Sequence, residues 1–365
     1  MRLLIVTQKV DRNDPILGFF HRWIIEFAKH ADRISVICLE QGEYDLPKNV
    51  AVYSLGKELR ERSDLKNPGP RSVLEEQLQK VRYVFNFYRL IWRERKNYDV
   101  VFVHMNPVYI VLGGALWRMW KKKISLWYTH KSVDLKLRIA EKFVHTIFTA
   151  SKESFRLKSE KVCVTGHGID VERFMPVEKK ENKIFRIITV GRVSPVKDYE
   201  TLINAVETLS QKNVSVFVEV VGGADTPKQK KYLDRIKGAV KEKDLENIFS
   251  FIGPIPNKDL LQYLQGADVF VNMSHTGSLD KAVLEAIASE VPVVTCNEAV
   301  ADILGKYKSV LMFPKGDPKS FAEKINFVRN LDVQQKKEMV RNLRDVVVKK
   351  HNIGKLITNI TEILK

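Results

Sequence analysis

Two short segments hold residues whose types and spacing suit one kind of chemistry. Gly191-Arg192-Val193-Ser194-Pro195-Val196-Lys197 sets an arginine and a lysine five residues apart, directly after an apolar, β-branched run. Further along, Met273-Ser274-His275-Thr276-Gly277-Ser278-Leu279-Asp280-Lys281-Ala282-Val283-Leu284-Glu285-Ala286 offers a glycine loop, a helix N-terminus and one carboxylate about two turns on. Each segment reads as a strand that ends in a loop and then a helix. A guanidinium grips two phosphate oxygens at once, and an ammonium adds a point charge. A helix N-terminus presents unpaired N–H groups and a partial positive charge. Together they describe a cradle for a diphosphate attached to a ribose, and so a nucleotide-activated substrate.

Each residue also has a plainer reading. Ser278 could cap its own helix, with Asp280 in the first turn favouring the dipole. Two loop cations by themselves are usually solvated charge. Glu285 sits inside the apolar stretch Ala282–Ala288, and a carboxylate there needs a partner. Vicinal ribose hydroxyls would serve, and so would a structural hydrogen bond or ion pair. When a nucleoside diphosphate departs, negative charge develops on it, and fixed cations stabilise that transition state more than the ground state.

These loops need strands behind them. Strand-like runs are Leu3–Thr7, Ile34–Leu39, Val50–Leu55, Val100–His104, Ile124–Thr129, Ile147–Ala150 and Val162–Thr165. Residues 56–71 read as a charged loop around Pro68-Gly69-Pro70, and Val73–Lys96 as a long amphipathic helix. A polar linker at 176–183 precedes a second set: Ile187–Val190, Val214–Val221, Phe249–Ile252, Val269–Asn272, Val291–Thr295 and Val310–Phe313. Phe19–His30, Pro318–Asn330, Val333–Lys349 and Ile353–Leu364 have helical spacing. Alternation of this kind predicts an α/β fold of two doubly wound, Rossmann-like domains with a cleft between them and ligands at the carboxyl ends of the strands. We place the first domain at 1–176, joined by a C-terminal helix at about 350–365, and the second at 177–349.

Composition narrows the setting. Cys38, Cys163 and Cys296 are few and far apart, which argues for buried thiols in a reducing compartment. The start of the chain lacks a signal-peptide pattern, and Val100–Trp117 reads as strand, loop and helix rather than a membrane span. Net charge is +17, with 33 Lys+Arg against 21 Asp+Glu in residues 1–180. That excess points to an acidic partner. No nucleic-acid-binding signature is present, so an anionic lipid or phosphate-bearing acceptor is favoured over nucleic acid. Basic residues of Arg60–Arg71 and Lys80–Lys96, with Tyr83, Phe85, Phe87, Tyr88, Ile91 and Trp92 interleaved in the second stretch, suit a lipid headgroup interface, as do Trp120 and Lys121–Lys123. An ordinary helix with one charged face would look similar. We expect a cytoplasmic protein, peripheral at the inner membrane face.

The sequence resembles glycosyltransferase family four, the retaining GT-B enzymes. Arg186–Thr201 is similar to the family's strand–Gly-Arg–loop–Lys block. Ala267–Thr295 is similar to its strand–loop–Leu-Glu-Ala–strand block, with Val283-Leu284-Glu285-Ala286 and Val291-Pro292-Val293-Val294. Lys161-Val162 through Gly168-Ile169-Asp170, with Arg173-Phe174, resembles the segment that leads out of the first domain. The resemblance implies that Arg192 and Lys197 bind the donor diphosphate and Glu285 the ribose. It implies a nucleoside-diphosphate sugar as substrate, a UDP-sugar favoured over a GDP-sugar, with anomeric retention and no enzymic nucleophile. No Asp-x-Asp precedes a turn to suggest a metal, and no cofactor is expected. The implied activity is transfer of a sugar to a lipid-linked or glycan acceptor in cell-envelope or polysaccharide synthesis, with domain closure excluding water.

One position departs from the family. Relatives carry a glutamate eight residues before the ribose glutamate, where this chain has Gly277. Asp280 could supply that carboxylate, the sugar could be held differently, or activity could be lost. A sugar-nucleotide epimerase of the same fold, or a degenerate binding protein, therefore stays open. His130, after Trp127-Tyr128-Thr129, matches a family histidine near the reacting sugar, so His130 and Asp280 are the expected catalytic pair. Gly18, Gly222, Ile252, Thr276, Gly277, Ser278, Leu279, Lys281 and Leu284 join Arg192, Lys197 and Glu285 as expected nucleotide-sugar contacts. Asn106, Ser151 and Gly223 also fall at strand ends.

Overall fold

In the computed structural model, which describes residues 1–59, 73–178 and 182–365, the β-branched runs become parallel strands of two sheets. Each sheet belongs to its own unit. One unit comprises Met1–Gly168, Pro256–Lys258 and Ile353–Lys365, and the other Ile169–Ile255 and Asp259–Asn352.

The first unit holds β1 (Arg2–Val10), β2 (Arg33–Gln41), β3 (Val50–Ser54), β4 (Val100–His104), β5 (Lys123–Trp127), β6 (Thr146–Thr149) and β7 (Val162–Val164), in the order β3-β2-β1-β4-β5-β6-β7. Strand β1 runs three residues beyond its apolar stretch. Lys9 is tolerated there because Glu40 at 2.5 Å and Asp14 at 3.1 Å neutralise it. Helix Gly18–Ala28 buries Phe20, Trp23, Ile24 and Phe27, one stripe at helical spacing. Helix Ile353–Leu364 buries Ile353, Leu356, Ile357, Ile360 and Leu364 into the same core. The imidazole of His104 stacks on Phe20 with ring centroids 3.9 Å apart and meets Thr7 Oγ1 at 3.2 Å. Its burial drives the His104 pKa down to about 3, so the ring is a neutral part of the core.

The second unit holds β8 (Phe185–Val190), β9 (Val216–Val221), β10 (Phe249–Gly253), β11 (Val269–Asn272) and β12 (Val293–Thr295), in the order β10-β9-β8-β11-β12. The chain leaves β8 toward β9 and later returns to its other side as β11. The order therefore reverses between β8 and β11, and the carboxyl ends of these two strands flank a topological switch point.

Several boundaries differ from the sequence reading. Val310–Phe313 is not a strand; Lys308–Leu311 is a helical turn, and Met312 makes an isolated parallel bridge to Thr295. Ile169, Val171 and Phe174 are buried in the core of the second unit, so residues 169–176 do not group with the first domain. Residues 60–72, which include most of the expected loop and basic stretch, and residues 179–181 of the expected linker lie outside the described residues. Val100–Trp117 is strand β4 followed by helix Pro107–Met119. Among the described residues no helix is long and apolar enough to cross a membrane. Cys38 and Cys296 are buried free thiols, each pushed up to about 12 by burial, and Cys163 is half-buried.

Candidate active site

The loops after β8 and β11 are tied to one another directly. Gly191 ends β8 with φ +147°, and Pro195–Lys197 forms a short turn before helix Tyr199–Gln211. Lys197 Nζ lies 3.0 Å from Asp280 Oδ2, whose other close partner is Asn272 Nδ2 at 2.9 Å. The His275 N–H donates to the Val196 carbonyl at 2.9 Å, and His275 Nε2 lies 3.1 Å from Asp198. The two segments singled out in the sequence thus form one structure at the switch point.

Arg192 is exposed, and no hydrogen bond or ion pair holds its guanidinium among the described residues. Lys197 is held in place, with its charge matched by Asp280. Site charge is therefore divided between a free cation and a paired one.

Asp280 occupies the N-cap position of helix Lys281–Ala288, but its carboxylate makes no bond to that helix. It turns to Lys197 and Asn272 instead, and it stands at the N-cap rather than in the first turn where the sequence reading puts it. Ser278, considered as the cap from the sequence, does not stand at the N-cap; its carbonyl accepts from the buried Asn297 amide at 2.8 Å. Thr276 Oγ1 meets Ser274 Oγ at 2.9 Å. Gly277 has φ +61°, in the left-handed region that glycine enters without the strain a Cβ brings.

Glu285 is 2% exposed and forms an ion pair with Lys281 one turn earlier in the same helix. The Lys281 ammonium also lies 5.9 Å from the centre of the Phe174 ring. Leu279 and Leu284 are buried in the core, so their side chains support the loop and any contact with a ligand must come from their backbone. Ile252 is half-buried on β10. Gly222 has φ +147°, and a Cβ there would fall 1.9 Å from the Gly191 carbonyl oxygen. Glycine at 222 lets the ends of β8 and β9 meet, with Gly191 N–H donating to Val221 O at 2.9 Å and Val193 N–H to Gly223 O at 2.8 Å.

In the first unit, the remaining expected residues also follow strand ends. Gly18 opens a helix, where a Cβ would sit 3.1 Å from the Arg12 carbonyl oxygen. Asn106 Nδ2 donates to Gln8 Oε1 at 2.6 Å. His130 is exposed, three residues past β5, and its Nδ1 accepts the Ser132 N–H at 3.1 Å. Ser151 Oγ meets Ser154 Oγ at 3.0 Å. Among the described residues no cluster of three or more His, Cys, Asp or Glu side chains is placed to hold a metal ion.

Sequence reasoning missed Asn272, His275, Asp198 and Asn297. It also missed the Lys281–Glu285 pair, whose i,i+4 spacing was a usable signal.

Residues 170–346 match the family model described as glycosyl transferases group 1. The second unit is thus similar to the group 1 glycosyltransferase domain. The matched span contains both loops of the switch point. The chain is 27% identical over 172 residues to the amylovoran biosynthesis glycosyltransferase AmsK of Erwinia amylovora, covering 45% of this chain and 41% of that protein. It is 28% identical over 214 residues to the capsular polysaccharide biosynthesis glycosyltransferase CapM of Staphylococcus aureus, covering 53% and 52%. The chain spans about half the length of the curated relatives it matches. The crystal structure of HepE from Anabaena in complex with UDP aligns over 100% of this chain and 99% of that one, with a TM-score of 0.74 and 17% identity. At that identity the likeness shows the fold. The chain has the α/β, two-sheet GT-B fold class expected from the sequence.

Proposed function

We propose that this protein is a retaining glycosyltransferase. It would move a sugar from a nucleoside-diphosphate sugar to an acceptor in cell-envelope or polysaccharide synthesis. The observation that carries this reading is the joining of the β8 and β11 loops of a group 1 domain at its switch point, with Arg192 free and Lys197 close by in sequence. Solved neighbours that hold UDP, or UDP with glucose, favour a UDP-sugar as donor.

In this reading Arg192 takes the diphosphate as a bidentate partner, and Lys197 exchanges the Asp280 carboxylate for a phosphate oxygen. Both cations then face charge that grows as the glycosidic C–O bond breaks, which lowers the barrier. Asp280, released from Lys197 and still held by Asn272, can accept from a hydroxyl of the donor sugar. Glu285 accepts from the ribose hydroxyls. The backbone of 276–279 frames the sugar, with Gly222 and Ile252 on the neighbouring strand ends. No nucleophile is required of the protein, because the departing phosphate assists the acceptor on the same face. No divalent cation or other cofactor is required. His130 and Gly18 are proposed to serve from the first unit.

UDP should raise the melting temperature of the full chain, and Arg192→Ala should weaken UDP roughly tenfold, as loss of a charge-assisted contact does. Asp280→Ala should retain UDP binding and lose most turnover of the UDP-sugar. Unchanged turnover in that variant would eliminate Asp280 as the substitute carboxylate.

We propose further that the acceptor is anionic or lipid-linked and that the protein works peripherally at the inner, cytoplasmic membrane face. Support comes from helix Val73–Glu94, which exposes Leu74, Leu78, Val81, Phe85, Tyr88 and Trp92 along one side beside Arg82, Arg89 and Arg93. Trp120 packs edge-on against Trp92 at 5.6 Å, extending the aromatic surface. Phe87 and Ile91, expected at the interface, are instead buried in the core and cannot reach lipid. The protein should float with vesicles containing phosphatidylglycerol at low salt and detach at high salt. Phe85→Ser with Trp92→Ser should abolish flotation; wild-type protein that stays at the bottom at low salt would refute membrane contact.

A further inference from the structure

The Lys197 side chain has a fixed direction only if its backbone is fixed, and one residue of the other loop holds both of its chain neighbours. The main-chain N–H of His275 donates to the carbonyl of Val196, the residue before Lys197, at 2.9 Å. The His275 Nε2 lies 3.1 Å from the carboxylate of Asp198, the residue after it. Asp198 is itself unusual, a non-glycine residue with φ +47°, in the left-handed region. Its carboxylate also caps helix Tyr199–Gln211, meeting the Thr201 N–H at 3.4 Å and the Thr201 hydroxyl at 2.7 Å. His275 is exposed, so no packing demand explains a histidine there. The Lys197–Asp280 pair makes a third tie between the loops, but it must open when Lys197 turns to a phosphate. The two His275 contacts remain when it does.

We infer that His275 is a positioning residue for the diphosphate site, acting through Lys197 by clamping Val196 and Asp198 on either side of it. The inference rests on the donor-site reading above. It assigns the cost of ordering the lysine loop to a contact already made, so that a bound diphosphate does not have to order it. His275 touches no substrate in this account.

The test is UDP binding to the full chain, measured by calorimetry in five proteins: wild type, His275→Ala, His275→Gln, and Lys197→Ala with and without His275→Ala. His275→Ala should weaken UDP about fivefold to tenfold, the usual effect of losing one charge-assisted contact. His275→Gln places an amide near the imidazole Nε2 and should recover most of that loss. In the Lys197→Ala background, His275→Ala should change nothing more, because the two act as one unit. An exposed side chain of this kind should leave the melting temperature unmoved. The inference is overturned if His275→Ala binds UDP like wild type. It is equally overturned if the variant loses the same factor with and without Lys197, since that is a general structural effect. If wild-type protein binds neither UDP nor GDP, the donor-site reading falls and takes this one with it. That case is recognisable because Arg192→Ala and Lys197→Ala then also change nothing.

Discussion

Gly222→Ala should destabilise the second unit by on the order of 4 kcal/mol, roughly 10 °C in Tm, and should weaken UDP binding as well. The new methyl would sit 1.9 Å from the Gly191 carbonyl oxygen and 2.6 Å from its carbon, at a residue whose φ is +147°. Neither neighbour is the flexible end of a side chain. The backbone of β8 or β9 must move, and Gly191 carries Arg192 with it. Gly253→Ala is the matched control: φ is +82°, but nothing lies within 4 Å of the added Cβ. It should cost about 1 kcal/mol of backbone strain and leave UDP affinity unchanged. Thermal melts and UDP titrations of both variants check the contrast. Equal effects from the two substitutions would show that the β8–β9 contact does not govern the phosphate loop.

The second large effect is expected at Glu285. Its carboxylate is buried and paired with Lys281, whose side chain is 17% exposed. Glu285→Ala leaves that ammonium without its helix partner, and the loss should be roughly 2–3 kcal/mol, below the full value for a deeply buried pair. If the carboxylate also accepts two ribose hydroxyls, UDP affinity should fall by about a hundredfold or more, since hydrogen bonds to a charged group are each worth roughly 1.5–3 kcal/mol. Glu285→Gln keeps the shape and should lose less of both. Calorimetric titration separates the two roles. A variant that melts earlier yet binds UDP with full affinity would make Glu285 a structural residue and nothing more.

The sheets were legible because a strand buried on both faces is a continuous apolar run, as in Ile187–Val190 and Val269–Asn272. Val310–Phe313 has the same look, yet Lys308–Leu311 is helical. A run that short does not distinguish the two states. The end of β1 was hidden for the opposite reason: Gln8 and Lys9 look like loop until Glu40 and Asp14 are seen around the lysine. At the site, residue types were readable and pairings were not. Nothing in the sequence says that Lys197 meets Asp280, because that contact depends on how two loops 83 residues apart are set against each other. Lys281–Glu285 is different, since four residues along one helix bring both side chains to the same face. The glycine at 277 looks like a loss of chemistry in the sequence, and the left-handed φ of +61° it takes is not visible there.

The grouping of the last thirteen residues, Ile353–Lys365, with Met1–Gly168 has a consequence for anyone dissecting the molecule. No single cut in the gene yields both halves intact. Severing the chain after Gly168 strips Ile357 and Ile360 from the apolar face they share with Phe20 and Trp23. A working fragment of the first half calls for splicing 1–168 to 353–365 through an engineered bridge, whereas 169–352 is nearly continuous and is the piece to express alone for nucleotide titrations.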